Sequence, residues 1–421
     1  MNVINRWLNF WSLLLFFFST AAFADAYHYN NILIGDRASG MGGAYTAISD
    51  DASGLFYNPA GIVYVVDRNF SATVNTFSAQ YKTYDNVIGG QPFERKSSAL
   101  LANYFGFVKP VGNLKFGISY AVPDAVNEDL SQSVSGIPSN SPVGNYNYTI
   151  NLNNRDNTYN FGPSIAGAIN DQLAIGLTLY LHQRDTLIIN NQFVARDNAT
   201  NEWTNYYYKL SETGLKPVLG VIWSPVEKLS LGASISTILI LNSNSSSQVT
   251  CVNTNDPALC GSGASLAFPF LVPTTTSLDT RRVYPMRIAV GAAYFATTSL
   301  LLSTDFTYHT AVSNPSFDEV AVATVDAAFG GEYYLSKKWA VRAGVYTNVA
   351  NTPPIEAGVT KIEEHINLYG GSLSFTRFSG ESSVTIGGSL SYGIGQAQIT
   401  GNTDVQSARA FGWTMFLSSS Y

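Results

Sequence analysis

The 421-residue sequence is short of charge: Lys, Arg, Asp and Glu together make up 12% of it, about half the share usual in globular domains. That excludes the ordinary means of covering a soluble surface. Two cysteines exclude a disulfide-dense scaffold. Four histidines, none at metal-ligand spacing, offer no metal site. A net charge of −6 without any basic run excludes a nucleic-acid partner, because phosphate binding needs clustered Lys and Arg. There is no phosphate loop or dinucleotide fingerprint, so no cofactor is expected. Beyond residue 24 no apolar run approaches the ~20 residues of a membrane-spanning helix.

The first residues are a special case. Arg6 leads into FWSLLLFFFSTAAFA, a short apolar run closing on small residues. This is the pattern of a secretory signal peptide over 1–24, with Ala24 as the first expected cleavage point and Ala26 as the second. In an exported protein, Cys251 and Cys260 read as a local disulfide closing a Ser/Asn-rich loop.

What is abundant is alternation. In LKFGISYAV, Leu114, Phe116, Ile118, Tyr120 and Val122 share one face; LAIGLTLYLHQ and LSLGASIST repeat the pattern. A period of two over eight or more residues predicts strands. Short turn signals fall at 109–113, 170–172, 225–228, 297–299, 336–338 and 380–381. Between them lie longer polar connections near 83–96, 124–155, 186–210, 242–282, 312–320, 351–364 and 396–407. Six short turns and seven long loops predict fourteen strands, with the short connections on one side as in outer-membrane barrels.

The charges agree. On four neighbouring strands between 286 and 348, Met286, Val290, Phe306, Val325, Phe329 and Val345 share the apolar phase. Arg287, Asp305, Asp326, Glu332 and Arg342 all fall on the other. A barrel that meets lipid outside places those charges in its lumen. The last strand carries Phe411, Trp413, Met415 and Leu417 on one face and reaches Tyr421, giving the first strand a partner with which to close the sheet. The expected fold is all-β: a 14-stranded antiparallel transmembrane β-barrel over 68–421, with an N-terminal plug over 25–67 inside the lumen.

That plug segment does not alternate. It reads GDRASGMGGAYTAISDDASGLFYNPAGI from Gly35 to Ile62, rich in small residues that allow close backbone packing. Asp50 and Asp51 are expected to pair with lumen cations such as Arg287 or Arg342. The block resembles the N-terminal hatch of the FadL/TodX-type outer-membrane transporters of long-chain fatty acids and aromatic hydrocarbons. Gly35, Arg37-Ala38, Gly42, Ala47, Asp50-Asp51-Ala52 and Asn58-Pro59-Ala60 stand in that family's order and spacing. The resemblance implies a hatch with gating residues Gly35, Arg37, Gly42, Asp50, Asp51, Asn58, Pro59 and Ala60. It implies a passive, monomeric conduit in the Gram-negative outer membrane, surrounded by outer-membrane lipid and inserted by the barrel-assembly machinery, which reads a terminal aromatic strand.

In the family, outer loops capture a hydrophobic molecule, which leaves sideways where the third strand is kinked. Here that strand is 114–122, with Gly117 inside it and Pro123 ending it. The capture loops correspond to 186–210 and 242–282. The second holds ASLAFPFLVP, so Leu266, Phe268, Phe270, Leu271 and Val272 are candidate capture residues, an exposed apolar run needing something to bind or pack against. Trp203 and Tyr206–Tyr208 suit either a ligand groove or the membrane-interface girdle. Two other readings remain open: an accessory barrel of a secretion system, and an outer-membrane hydrolase using His182 or His309 with a serine. No serine stands in a nucleophile context.

Overall fold

The computed structural model describes residues 27–65, 69–138, 144–197, 201–253, 274–278, 280–317, 319–358, 363–399 and 404–421. The expected signal peptide, Cys260 and the five candidate capture residues lie outside these, as does the side chain of Cys251.

The strands are β1 (Asn69–Ile88), β2 (Gln91–Val111), β3 (Leu114–Ile137), β4 (Tyr146–Asn170), β5 (Leu173–Arg196) and β6 (Glu202–Val226). Then come β7 (Leu229–Ser236), β8 (Leu239–Asn253), β9 (Thr274–Leu278), β10 (Arg287–Phe295) and β11 (Leu300–His309). A small hairpin, β12 (Val312–Asn314) and β13 (Glu319–Ala321), stands apart. The wall is completed by β14 (Thr324–Ser336), β15 (Trp339–Asn348), β16 (Glu363–Ser379), β17 (Ser382–Gln398) and β18 (Gln406–Ser420). One sheet holds sixteen of these strands. β7 and β8 share the seventh position in the wall, and β9 and β10 the eighth, so 16 − 2 leaves fourteen staves. β1 pairs antiparallel with β18, and β5 with β6, so the sheet closes. Phe70 and Tyr421 exchange backbone hydrogen bonds of 2.7 and 2.8 Å at that seam.

The alternation sorts as predicted. Val325, Phe329 and Val345 are 57%, 52% and 59% exposed on the outside, while Asp305, Asp326, Glu332 and Arg342 are buried within. An apolar exterior with charges inside is stable only against lipid. All six predicted tight turns are present. The long connections differ from expectation. Most of 83–96, 124–155 and 186–210 continues as paired strand, with only short connectors between. β4 has 25 residues, or about 80 Å at ~3.3 Å per residue, far more than an apolar band of ~25 Å requires. Above the membrane both faces meet water and both turn polar, so the hydropathy period vanishes while the backbone ladder continues. Trp203 and Tyr206–Tyr208 therefore lie in β6, where Tyr208 packs with Leu152, Ile188 and Leu210.

Candidate functional site

The N-terminal segment packs against the inner face of the wall. Short helices span Asp36–Gly40 and Gly54–Tyr57, and a 3₁₀ helix spans Pro59–Tyr64. The Asn58-Pro59-Ala60 triplet has a local explanation. Pro59 occupies the first turn, where its missing N–H costs nothing. Asn58 caps it, its Oδ1 accepting from the Ala60 N–H at 3.2 Å. Its Nδ2 donates to Thr46 O at 2.8 Å and, across to the wall, to Val221 O at 3.0 Å. The side chain is fully buried, and the opposing wall residue is Gly220, where a Cβ would collide with Asn58 Oδ1. Gly344 plays the same part beneath Met41. Gly35 and Gly42 carry left-handed φ values of +76° and +67°.

An ionic chain fixes the other side of the segment. Arg37 bonds both Asp50 and, at 2.6 Å, Glu332, which also receives Arg342 Nε at 2.7 Å. Asp305 Oδ2 accepts the backbone N–H groups of Tyr45 and Thr46 at 2.9 and 2.7 Å. The expected pairing of Asp50 and Asp51 with Arg287 or Arg342 is corrected here. Asp50 finds its cation in Arg37, thirteen residues away on the same compact segment. Asp51 accepts from the Ser53 N–H at 2.7 Å. Burial, and then the nearby Asp36, push the Asp51 carboxyl above its ordinary range while Arg37 and Ser53 oppose the shift. Asp326 accepts from the Val349 N–H at 2.8 Å and, more weakly, from Asn30 Nδ2 at 3.4 Å.

A cavity of about 380 Å³ adjoins this segment, with Phe56 and Tyr57 among its lining. Lys216 and Arg287 line it too. Among the described residues neither has a carboxylate within salt-bridge distance. Lys216 Nζ stands 4.8 Å above the Phe56 ring, and Arg287 Nη1 reaches only Ser234 Oγ, at 3.3 Å. His182 Nδ1 is 3.1 Å from Asn160 Oδ1, and its buried Nε2 has no hydrogen-bond partner. Sequence reading identified Arg287 but missed Lys216. The signal available was a lone Lys on the polar phase of β6, beside Pro217.

The wall has an interrupted seam beside the cavity. β2 and β3 pair from Val111/Leu114 to Tyr104/Ala121, and then not again until Ser97/Glu128. β3 also shifts register against β4 between Ala121 and Asp124. Pro123, which has no N–H to give a ladder, lies within the interruption. The N-terminal segment holds this edge: Ile32 N–H donates to Pro123 O at 3.2 Å, and Asn31 Nδ2 to Asp124 Oδ1 at 3.2 Å. Pro123 and Asp124 line the large cavity, and a smaller one of about 70 Å³ lies by Ala125, Val126 and Ala99.

None of the four histidines is bonded to a serine in any described contact. His28 contacts Ile366 O, His309 Nδ1 lies 3.4 Å from Thr324 Oγ1, and His365 Nδ1 contacts Thr352 O.

A closed barrel with a lipid-facing apolar exterior and an internal cavity lined by both apolar and charged side chains is the architecture of an outer-membrane protein. The sequence profile described as outer membrane protein transport protein (OMPP1/FadL/TodX) matches residues 15–253, and the chain belongs to that family of Gram-negative outer-membrane barrels. Solved structures agree in fold. A FadL homologue from Pseudomonas aeruginosa is 16% identical with a TM-score of 0.65, covering 94% of this chain and 99% of its own. The toluene transporter TodX of P. putida is 10% identical with a TM-score of 0.61, covering 93% and 98%. The monoaromatic hydrocarbon channel CymD is 13% identical with a TM-score of 0.58, again covering 93% and 98%. No curated protein sequence matches the chain.

Proposed function

We propose that the protein takes up long-chain fatty acids, passively, holding each by its carboxylate in the 380 Å³ cavity before releasing it sideways through the β2–β3 seam. The observation that carries this reading is the pair Lys216 and Arg287, half-buried cations that line the cavity with no carboxylate within salt-bridge distance among the described residues. A cation partly withdrawn from water and left without a counter-charge is costly, and a carboxylate ligand offsets that cost, whereas a neutral hydrocarbon does not. The apolar rings of Phe56 and Tyr57 suit the alkyl chain. Asn58 and the Arg37–Glu332 pair seat the hatch, whose contacts to Pro123 and Asp124 gate the seam. Leu266, Phe268, Phe270, Leu271 and Val272 supply first capture from outside.

The test is binding of oleate and of its methyl ester to the purified protein, wild type against Lys216→Met. Loss of one charge-assisted contact of about 1.5–3 kcal/mol weakens oleate about tenfold or more and leaves the ester unchanged. Equal binding of acid and ester by the wild type refutes the carboxylate reading. A Phe268→Ala/Phe270→Ala variant tests capture separately, through a slower on-rate with an unchanged cavity affinity.

A further inference from the structure

The seventh stave is broken between β7 and β8. β7 ends at Ser236, paired with Arg287 of β10, and β8 begins at Leu239. On its strand-eight side the stave has no ladder partner again until Ser245 meets Leu278 of β9. Opposite the unpaired stretch 237–244 runs 280–286, which is not strand. Among the described residues no backbone hydrogen bond joins the two stretches. The stretch 283–286 instead bonds on its other side, continuing the line of the β10–β11 ladder. Val283 N–H donates to Asn314 Oδ1 at 2.8 Å, and Met286 O accepts from Thr310 N–H at 3.0 Å.

On the lumen side, side chains of this stretch reach past the seventh stave to β6. Tyr284 Oη donates to Glu212 of β6 at 2.7 Å, and Arg282 lies 3.7 Å from the same carboxylate and 2.9 Å from Glu319. In an intact strand successive residues face opposite sides. Here the adjacent pair Thr237 and Ile238 lines the cavity, and so does the run from Arg282 to Pro285. The cavity therefore reaches backbone edges at this place, not a continuous pleated wall. Outside, Leu239, Leu241 and Val283 are 53%, 51% and 57% exposed, an apolar rim toward lipid. The cations stand at the inner mouth: Arg287 is paired with Ser236, and Lys216 lies opposite the 237–238 break in the β6 ladder.

We infer that this break is a second lateral port, five staves round the wall from the β2–β3 seam, through which an amphipathic carboxylate exchanges tail-first with the membrane while its head remains at Lys216 and Arg287. The inference rests on reading the cavity as the transit site. A ladder opens only by losing several hydrogen bonds together, whereas among the described residues no backbone hydrogen bond has to break between 237–244 and 280–286.

The experiment uses the full-length protein in lipid nanodiscs, preloaded with a fatty acid bearing a diazirine at its tail, with unbound ligand removed before irradiation. Adducts are mapped by mass spectrometry, with lipid-facing Val290 as background. The expected result is adducts on Phe56 or Tyr57, and on 237–241 and 283–286 above the Val290 background. Ile238→Trp, which fills the break, removes the second group and keeps the first. Adducts in the cavity with none above background at 237–241 and 283–286 overturn the second port while leaving the transit reading intact. So do adducts there that Ile238→Trp leaves unaltered. The absence of any cavity adduct overturns the transit reading, and the port with it.

Discussion

Replacing Asn58 with alanine isolates the seating of the N-terminal segment, the proposed hatch, from the integrity of the barrel. The side chain has three polar contacts and all are used, at 2.8, 3.0 and 3.2 Å, in a place closed to water. Alanine removes the cap on the 3₁₀ helix, the tie to Thr46 within the hatch, and the only one of the three that crosses to the wall. At about 1 kcal/mol net for each bond the change costs about 3 kcal/mol. This corresponds to about a hundredfold rise in the unseated fraction. The fourteen-stave ladder is untouched, because Val221 and Ala233 remain paired through their own backbones. Hydrogen exchange is the suitable assay, since it resolves local opening from global unfolding. The amides of Asn58, Gly61 and Val65, all bonded within the hatch, should exchange about a hundredfold faster. Those of the β6–β7 ladder should keep their rates. Asn58→Asp should do no better, because it sets a carboxylate against two carbonyl oxygens. Unchanged hatch exchange in Asn58→Ala, or equal acceleration of hatch and ladder, refutes the view that this residue latches a separately seated unit.

Three further outcomes follow from the same contacts. Glu332→Gln leaves two guanidinium groups facing a neutral amide, and breaking a buried pair of this kind costs about 3–5 kcal/mol; trypsin should then cut after Arg37, which is protected in the parent. Gly220→Val places a side chain where Asn58 Oδ1 lies and should expel the hatch without melting the barrel, giving larger ion conductance in planar bilayers. Asp51 is an acid whose carboxyl is held above its ordinary value of 3.8 in the folded hatch, so the seated hatch binds the proton more tightly than the released one. Seating should therefore weaken as pH rises from 3.8 toward that higher value and level off beyond it. Asp51→Asn, which keeps an acceptor for Ser53 N–H, should abolish this slope in hatch exchange measured against pH.

The parts of the fold legible in the sequence are those in which one residue's partner is a bulk phase. Val325, Phe329 and Val345 face lipid whatever their neighbours are, and Asp305 and Glu332 face inward for the same reason, so period two located them. The parts that were not legible depend on which residue meets which. Glu332 was placed correctly in the lumen, yet its partner Arg37 is 295 positions away, a separation no local pattern encodes. Asp50 was assigned a wall cation because the turn that returns it to Arg37 carries no periodic signal. Proline gave a partial sign of the wall gaps. Pro123 lies in the β2–β3 interruption, and Pro217 lies opposite the broken stave, each without an N–H for a ladder. Yet Pro163 also stands inside β4, where pairing with β5 resumes within two residues on either side. What separates these cases is the length of edge left unpaired: 98–103 against 122–127 at the third stave, and 237–244 at the seventh. At the seventh stave the facing stretch 280–286 bonds Asn314 and Thr310 on its other side, so the proline alone does not fix that length. A mid-strand proline therefore nominates a weak place in a barrel wall, and whether the place becomes an opening depends on how much of the adjacent strand's edge stays unpaired.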